Sequence, residues 1–127
     1  MCTGPILISS WLEDRIGRYL VALLFFAGAV QKATDPNSVK GLLAGFGLPE
    51  ILVWPALAFN LIAALLLVAN RNIVIVTRLL ALYCIATSAF HFIPSDPWQM
   101  SIFVKNCAIA GGLLMFSAQH CKPAPNR

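Results

Sequence analysis

The stretch Phe90–Leu114, FHFIPSDPWQMSIFVKNCAIAGGLL, joins two apolar runs through a break and then places a Lys105–Asn106 pair inside the second run. Asp96-Pro97 reads as an N-cap acid followed by proline at the first helical position, with Gln99 where a capping box wants it. A helix starting near Pro97 carries Lys105 about two turns below its start. An ammonium at the centre of a bilayer costs roughly 2.5 to 3.5 kcal/mol, and less toward the interface. Lys105 therefore needs water, a carboxylate, a carbonyl or a ligand.

Working outward, three further apolar runs precede this one, at about 16–33, 51–69 and 73–93, and the helix begun at Pro97 reaches about 118. A hydrocarbon core of roughly 30 Å takes about 20 helical residues, with a range near 17 to 25. All four runs qualify. The chain has 127 residues, 59% of them hydrophobic and 11% charged, where soluble domains carry about 25% charge. The expected fold is all-α: an integral membrane four-helix bundle forming a single domain over 1–127. Asn70–Asn72 is a tight turn that should make spans two and three a hairpin, and Pro94–Asp96 should do the same for spans three and four. The one long connection, Thr34–Glu50, opens with Asp35-Pro36 and then sets Val39, Leu42, Leu43 and Phe46 at helical spacing. Gly45, Gly47 and Pro49 stop it. The pattern predicts a short amphipathic helix at the interface, with Asp35 as N-cap and Lys40 toward water.

The net charge of +4 comes from basic residues scattered singly between apolar runs. They form no stripe that could follow a phosphate backbone, so nucleic acid is excluded as a partner. Arg15, Arg18, Arg71, Arg78, Lys122 and Arg127 fall on one side of the spans, and Lys32, Lys40 and Lys105 on the other. That bias puts the N- and C-termini in the cytoplasm, with the first span serving as its own insertion signal. Trp11 and Tyr19 mark one interface, Trp54 and Trp98 the other. Cysteines at positions 2, 84, 107 and 121 show neither CxxC nor zinc-type spacing, so no metal site, disulfide framework or thiol-redox motif is expected. The tail Lys122–Arg127 reads as disordered.

With this sidedness, Gln31, Lys32, His91, Lys105 and Asn106 lie at one outer depth. They form a candidate site for an anionic or carbonyl-bearing ligand, a quinone head included. The competing reading keeps each residue separate: Lys105 snorkelling to headgroups or pairing with Asp96 or Glu50, His91 as a hydrogen-bonded interfacial side chain. Convergence on one cavity discriminates between the two. His91 lacks the partner that a bis-histidine haem requires, and His120 lies at the opposite end. Asn60, in mid-span, is expected to form an interhelical polar contact. Arg78 is expected to snorkel to cytoplasmic headgroups. Gly28, Ala108, Gly111 and Gly112 are small residues expected to pack helix on helix, with a homo-oligomer contact as the alternative.

The segments RYLVALLFFAGAVQKATDP, Gly47-Leu48-Pro49, LLLVANRNIVIVTRLLAL, FHF and VKNCAIAGGLLMF, over about residues 18–116, resemble the DoxX-like family of small four-helix membrane proteins. Gly28 with Lys32, then Arg78, His91, Lys105-Asn106 and Gly111-Gly112 carry the resemblance in this order. It implies a multi-pass protein of the inner membrane, acting as an accessory or partner subunit of a membrane redox system. One branch of the family supplies the membrane subunit of a thiosulfate–quinone oxidoreductase, which makes quinone the cofactor to consider and a membrane redox protein the partner. The family often carries a glutamate in the second span where this chain has Asn60, so a proton-coupled role borrowed from that glutamate does not transfer. A small-solute or lipid transporter is a third reading, disfavoured because no inverted repeat or broken helix is evident.

Overall fold

The computed structural model describes residues 10–121. Five α-helices follow one another: α1 (Ser10–Thr34), α2 (Pro36–Gly45), α3 (Val53–Ala69), α4 (Ile73–Ser88) and α5 (Pro97–His120). A 3-10 turn, Glu50–Leu52, leads into α3, and another, Ala89–His91, ends α4. No strand occurs among the described residues. Four helical stretches are long and apolar enough to cross a membrane: Ser10–Thr34, Glu50–Ala69, Ile73–His91 and Pro97–His120. The fold is the expected all-α membrane bundle. Large apolar side chains such as Leu20, Leu23, Leu65 and Leu82 are exposed on its outside, where lipid, not water, is the solvent. The expectations for Cys2 and for Lys122–Arg127 fall outside the described residues.

α1 begins six residues before the apolar run at Ile16. The extra turns are held by polar contacts: Glu13 lies in the first turn, and Asp14 pairs with Arg18 one turn later, Nε to Oδ2 at 2.9 Å. Arg18 is not a headgroup-facing cation. It is buried, and its Nη1 donates at 2.7 Å to the carbonyl of Leu67 in the last turn of α3. That carbonyl is one of the four that a helix end leaves without intrahelical partners. At the end of α5, His120 Nε2 lies 3.2 Å from the second Asp14 oxygen. One carboxylate thus ties α1 to α5 while positioning the arginine that ties α1 to α3.

The expected hairpin of spans three and four is made, but spans two and three pack less closely than a hairpin suggests. α1 packs chiefly on α3, and α4 on α5, whereas α3 and α4 touch far less although the Asn70–Asn72 turn joins them. Asn70 and Asn72 both adopt left-handed conformations, φ 56° and 51°, which Asn tolerates better than most residues. The turn reverses the chain without pressing the two helices together. Arg78 adds to the α4–α5 pair. Arg78 is exposed, and its Nε donates to the buried hydroxyl of Ser117 at 3.0 Å.

α2 forms where the sequence predicts it, with proline in its first turn, but Asp35 makes no side-chain cap. Gly47 takes φ +70°, a conformation without penalty only for glycine, and Leu48 N–H then donates back to Leu43 O at 2.9 Å. Lys40 is not free in water: it lies half-buried over the Trp54 ring, 5.9 Å from its centroid. Asp96 does cap α5, accepting from the N–H of Trp98 at 3.0 Å and of Gln99 at 3.4 Å. The return half of the capping box is missing, because the Gln99 side chain goes to His91 instead.

Replacing Arg18 by Met removes its bonds to Asp14 Oδ2 and the Leu67 carbonyl, leaving Asp14 only His120 and the carbonyl only the Asn70 N–H. It should lower the unfolding free energy of the detergent-solubilised protein by about 1 to 3 kcal/mol. Arg15→Met, which removes only an exposed cation stacked on Trp11, should cost less than about 1 kcal/mol. Equal losses for the two variants would contradict the anchoring role.

Candidate functional site

Between the α1–α3 and α4–α5 pairs, at the end of the bundle that carries α2, lies a cavity of about 440 Å³. It falls in the usual range of ligand pockets. Gln31, Lys32, His91, Lys105 and Asn106 all line it, together with Asn60. α2 forms its cover through Val39, Leu42 and Leu43, and the end of that cover is pinned by Phe46 against Phe90, edge to face at 4.8 Å. The remaining wall is mainly apolar, with Phe25, Leu52 and Ile102 among its contributors and Ser38, Tyr83 and Thr87 as polar exceptions.

Each polar residue arrives for a local reason. Lys32 sits in the last turn of α1, where its ammonium favours the carbonyl end of the helix, and its Nζ donates to Gly28 O at 3.3 Å. Lys105 is set by the Asp96 cap, which starts α5 early enough to carry it inward. It makes none of the pairings expected with Asp96 or Glu50, since the ion pairs among the described residues are Arg18–Asp14 and His120–Asp14. His91 ends the 3-10 turn after α4, and its Nδ1 is 2.7 Å from Gln99 Oε1. Because that oxygen only accepts, Nδ1 carries a hydrogen and the neutral ring keeps Nε2 as an acceptor. His91 is therefore hydrogen-bonded, as the conservative reading has it, and is also part of the cavity wall.

Asn60 is the residue whose setting is least expected. It is only 2% exposed, and its Oδ1 has no hydrogen-bond partner. The interhelical contact expected of it is made to the Tyr83 side chain of α4, and it leaves Oδ1 over. Its amide nitrogen also faces Gly28 of α1, where an added Cβ would come within 3.0 Å of Asn60 Nδ2 and 3.7 Å of Lys32 Nζ. Gly28 thus does thin the α1–α3 contact, and it brings an amide nitrogen and an ammonium over the same point of backbone. Tyr83 stands beside Asn60, its ring 5.2 Å from that of Phe59. Among the lining residues there is no carboxylate.

The small residues of α5 behave differently. Ala108, Gly111 and Gly112 are exposed, and a Cβ added to either glycine would meet nothing within 4 Å. Ala110, Leu113 and Ser117 form the buried face of that helix. The packing expected of the first three is not made within the chain, because helical rotation turns them away from α4. Gly112 instead borders a second cavity, about 350 Å³, between α1 and α5 at the other end of the bundle. Its wall is almost wholly apolar, and its arginine, Arg18, is already committed to Asp14 and Leu67.

A profile of the DoxX family matches residues 14–93. The chain belongs to the DoxX family. No curated protein and no solved structure matches it. The matched segment of this DoxX protein covers α2, α3, α4 and nearly all of α1, and so includes Lys32, Asn60 and His91. Lys105 and Asn106 lie beyond it, on α5. The involvement of Asn60, Tyr83 and Gln99 in the wall or its supports was not expected. The one signal in the sequence was an amide in mid-span, which the bilayer cannot hydrate.

Asn60→Leu removes an unpartnered buried carbonyl together with the hydrogen bond to Tyr83 of α4. The two changes oppose each other, so stability should change by less than about 1 kcal/mol, measured by thermal unfolding of the purified protein. A clearly larger loss would show that the amide holds the helices together.

Proposed function

We propose that this DoxX protein is an accessory subunit of a membrane redox system and that its contribution is to hold the head group of a quinone-class ligand in the cavity beneath α2. The observation that carries the reading is convergence: Lys32, Lys105, Asn60 and His91, from four different helical segments, line one space, although Lys105 is also exposed. Two ammonium groups and an amide offer donors to a ring carbonyl. The leucine and phenylalanine wall suits a ring and the start of its tail. Electrons would pass between the ligand and a partner protein.

The distribution of Lys and Arg supports an inner-membrane protein with N- and C-termini in the cytoplasm, which places the α2 cover and the cavity on the outer side. A redox partner would then approach from that side, over α2. The outward-facing Ala108 and Gly111 leave a thin lipid-facing strip on α5 that suits contact with another membrane helix, of a partner or of a second copy.

Protein purified in mild detergent should retain quinone, detected by solvent extraction and mass spectrometry, together with a co-purifying redox subunit. Lys105→Met should reduce retained quinone at least about tenfold while eluting like the wild type on size exclusion. Recovery of the wild type alone and empty of quinone would overturn the proposal.

A further inference from the structure

The cavity beneath α2 has an unbalanced charge. Lys32 and Lys105 line it and no carboxylate does. Lys32 Nζ has only a backbone carbonyl as partner, and no hydrogen bond or ion pair involves Lys105 among the described residues. The other titratable groups in the wall are His91, Tyr83 and Cys84, and a protonated His91 would add to the same excess. α3 contributes the neutral Asn60, and α2 contributes no charged group to the wall. Lys32 is half-buried and Lys105 exposed, and a partly desolvated ammonium without a counter-ion carries a cost that is recovered when an anion binds beside it. Asn60 adds an independent demand: its buried Oδ1 is an acceptor with no partner, on a side chain whose Nδ2 lies over Gly28 beside Lys32, and a ligand O–H would satisfy it.

We propose that the cavity holds a hydroxyaryl ligand as its monoanion, with the negative oxygen between Lys32 and Lys105 and a second hydroxyl donating to Asn60 Oδ1. A hydroquinone that has lost one proton carries both features on one ring. The inference rests on the quinone-class reading above and specifies which state of that ligand the chain stabilises. On binding, one aryl O–H bond breaks, its electron pair stays on oxygen, and the proton leaves to the buffer. No oxidation is involved.

The test uses the full chain in detergent and an octyl-substituted 4-nitrophenol, a redox-inactive probe whose anion absorbs at longer wavelength than the neutral form. Bound to wild-type protein, its titration midpoint should fall by about 1 to 3 pH units relative to empty micelles, the range produced by an adjacent opposite charge. The methyl ether of the same probe has no proton to lose and should bind at least about tenfold more weakly. Lys32→Met and Lys105→Met should each move the midpoint back toward the micelle value, and Lys105→Arg should preserve the shift. An unshifted midpoint, equal binding of the ether, or no binding of the phenol overturns the inference, and the ether comparison requires no variant. Quinone retained by a protein that leaves the phenol unshifted overturns the anion inference alone. A shifted phenol on a protein that purifies without quinone overturns the quinone reading alone.

Discussion

Arg18 is the point from which the arrangement of the bundle follows. A guanidinium buried within a membrane helix is tolerable only if its hydrogen bonds are taken up. Asp14 and the Leu67 carbonyl take them up. Because Leu67 lies in the last turn of α3, the bond fixes the depth of α1 against α3 as well as their proximity. The same aspartate meets His120 at the end of α5. Three of the four spans are therefore registered at one end by one charged cluster, with each polar group facing a partner of the opposite kind.

At the other end the logic is reversed. The helices are paired two by two, and the space between the pairs is roofed by α2 instead of being filled by large side chains. Gly28 has no side chain to occupy it, and Asn60 projects into the gap with its carbonyl unsatisfied. Lysines enter from two sides without counter-ions. A protein that balances its buried charges at one end and leaves two cations and an acceptor unbalanced at the other has concentrated its capacity for binding at the second. A buried unsatisfied acceptor costs about 1 to 3 kcal/mol, and that cost is available as binding energy to a ligand bearing a donor.

The α2 cover is held by small local contacts: the Gly47 turn, the Phe46–Phe90 ring contact, and Lys40 over Trp54. None of them crosses the deep core. The cover is thus held by contacts at its own end of the bundle, with Leu43 as its buried residue.

Periodicity and length were sufficient to read the four spans, the interfacial helix and the Asp96 cap, because the bilayer imposes a length on every apolar run and proline and aspartate punctuate helices locally. The common depth of Lys32, His91 and Lys105 was legible for the same reason: depth follows from counting residues from a helix end. Rotation about the helix axis was not legible. In lipid both faces of a helix are apolar, so no amphipathic stripe tells which side meets a neighbour, and the exposure of Ala108, Gly111 and Gly112 on α5 is not legible from their spacing. The buried pairing of Arg18, the turn of Arg78 to Ser117 and the missing partner of Asn60 Oδ1 are likewise contacts between residues 39 or more positions apart, or the absence of one. The sequence by itself determined the membrane architecture and the depth of each charge. Only the tertiary structure decided which charges are neutralised and which converge on an empty space, because that depends on how two helix pairs are rotated toward each other.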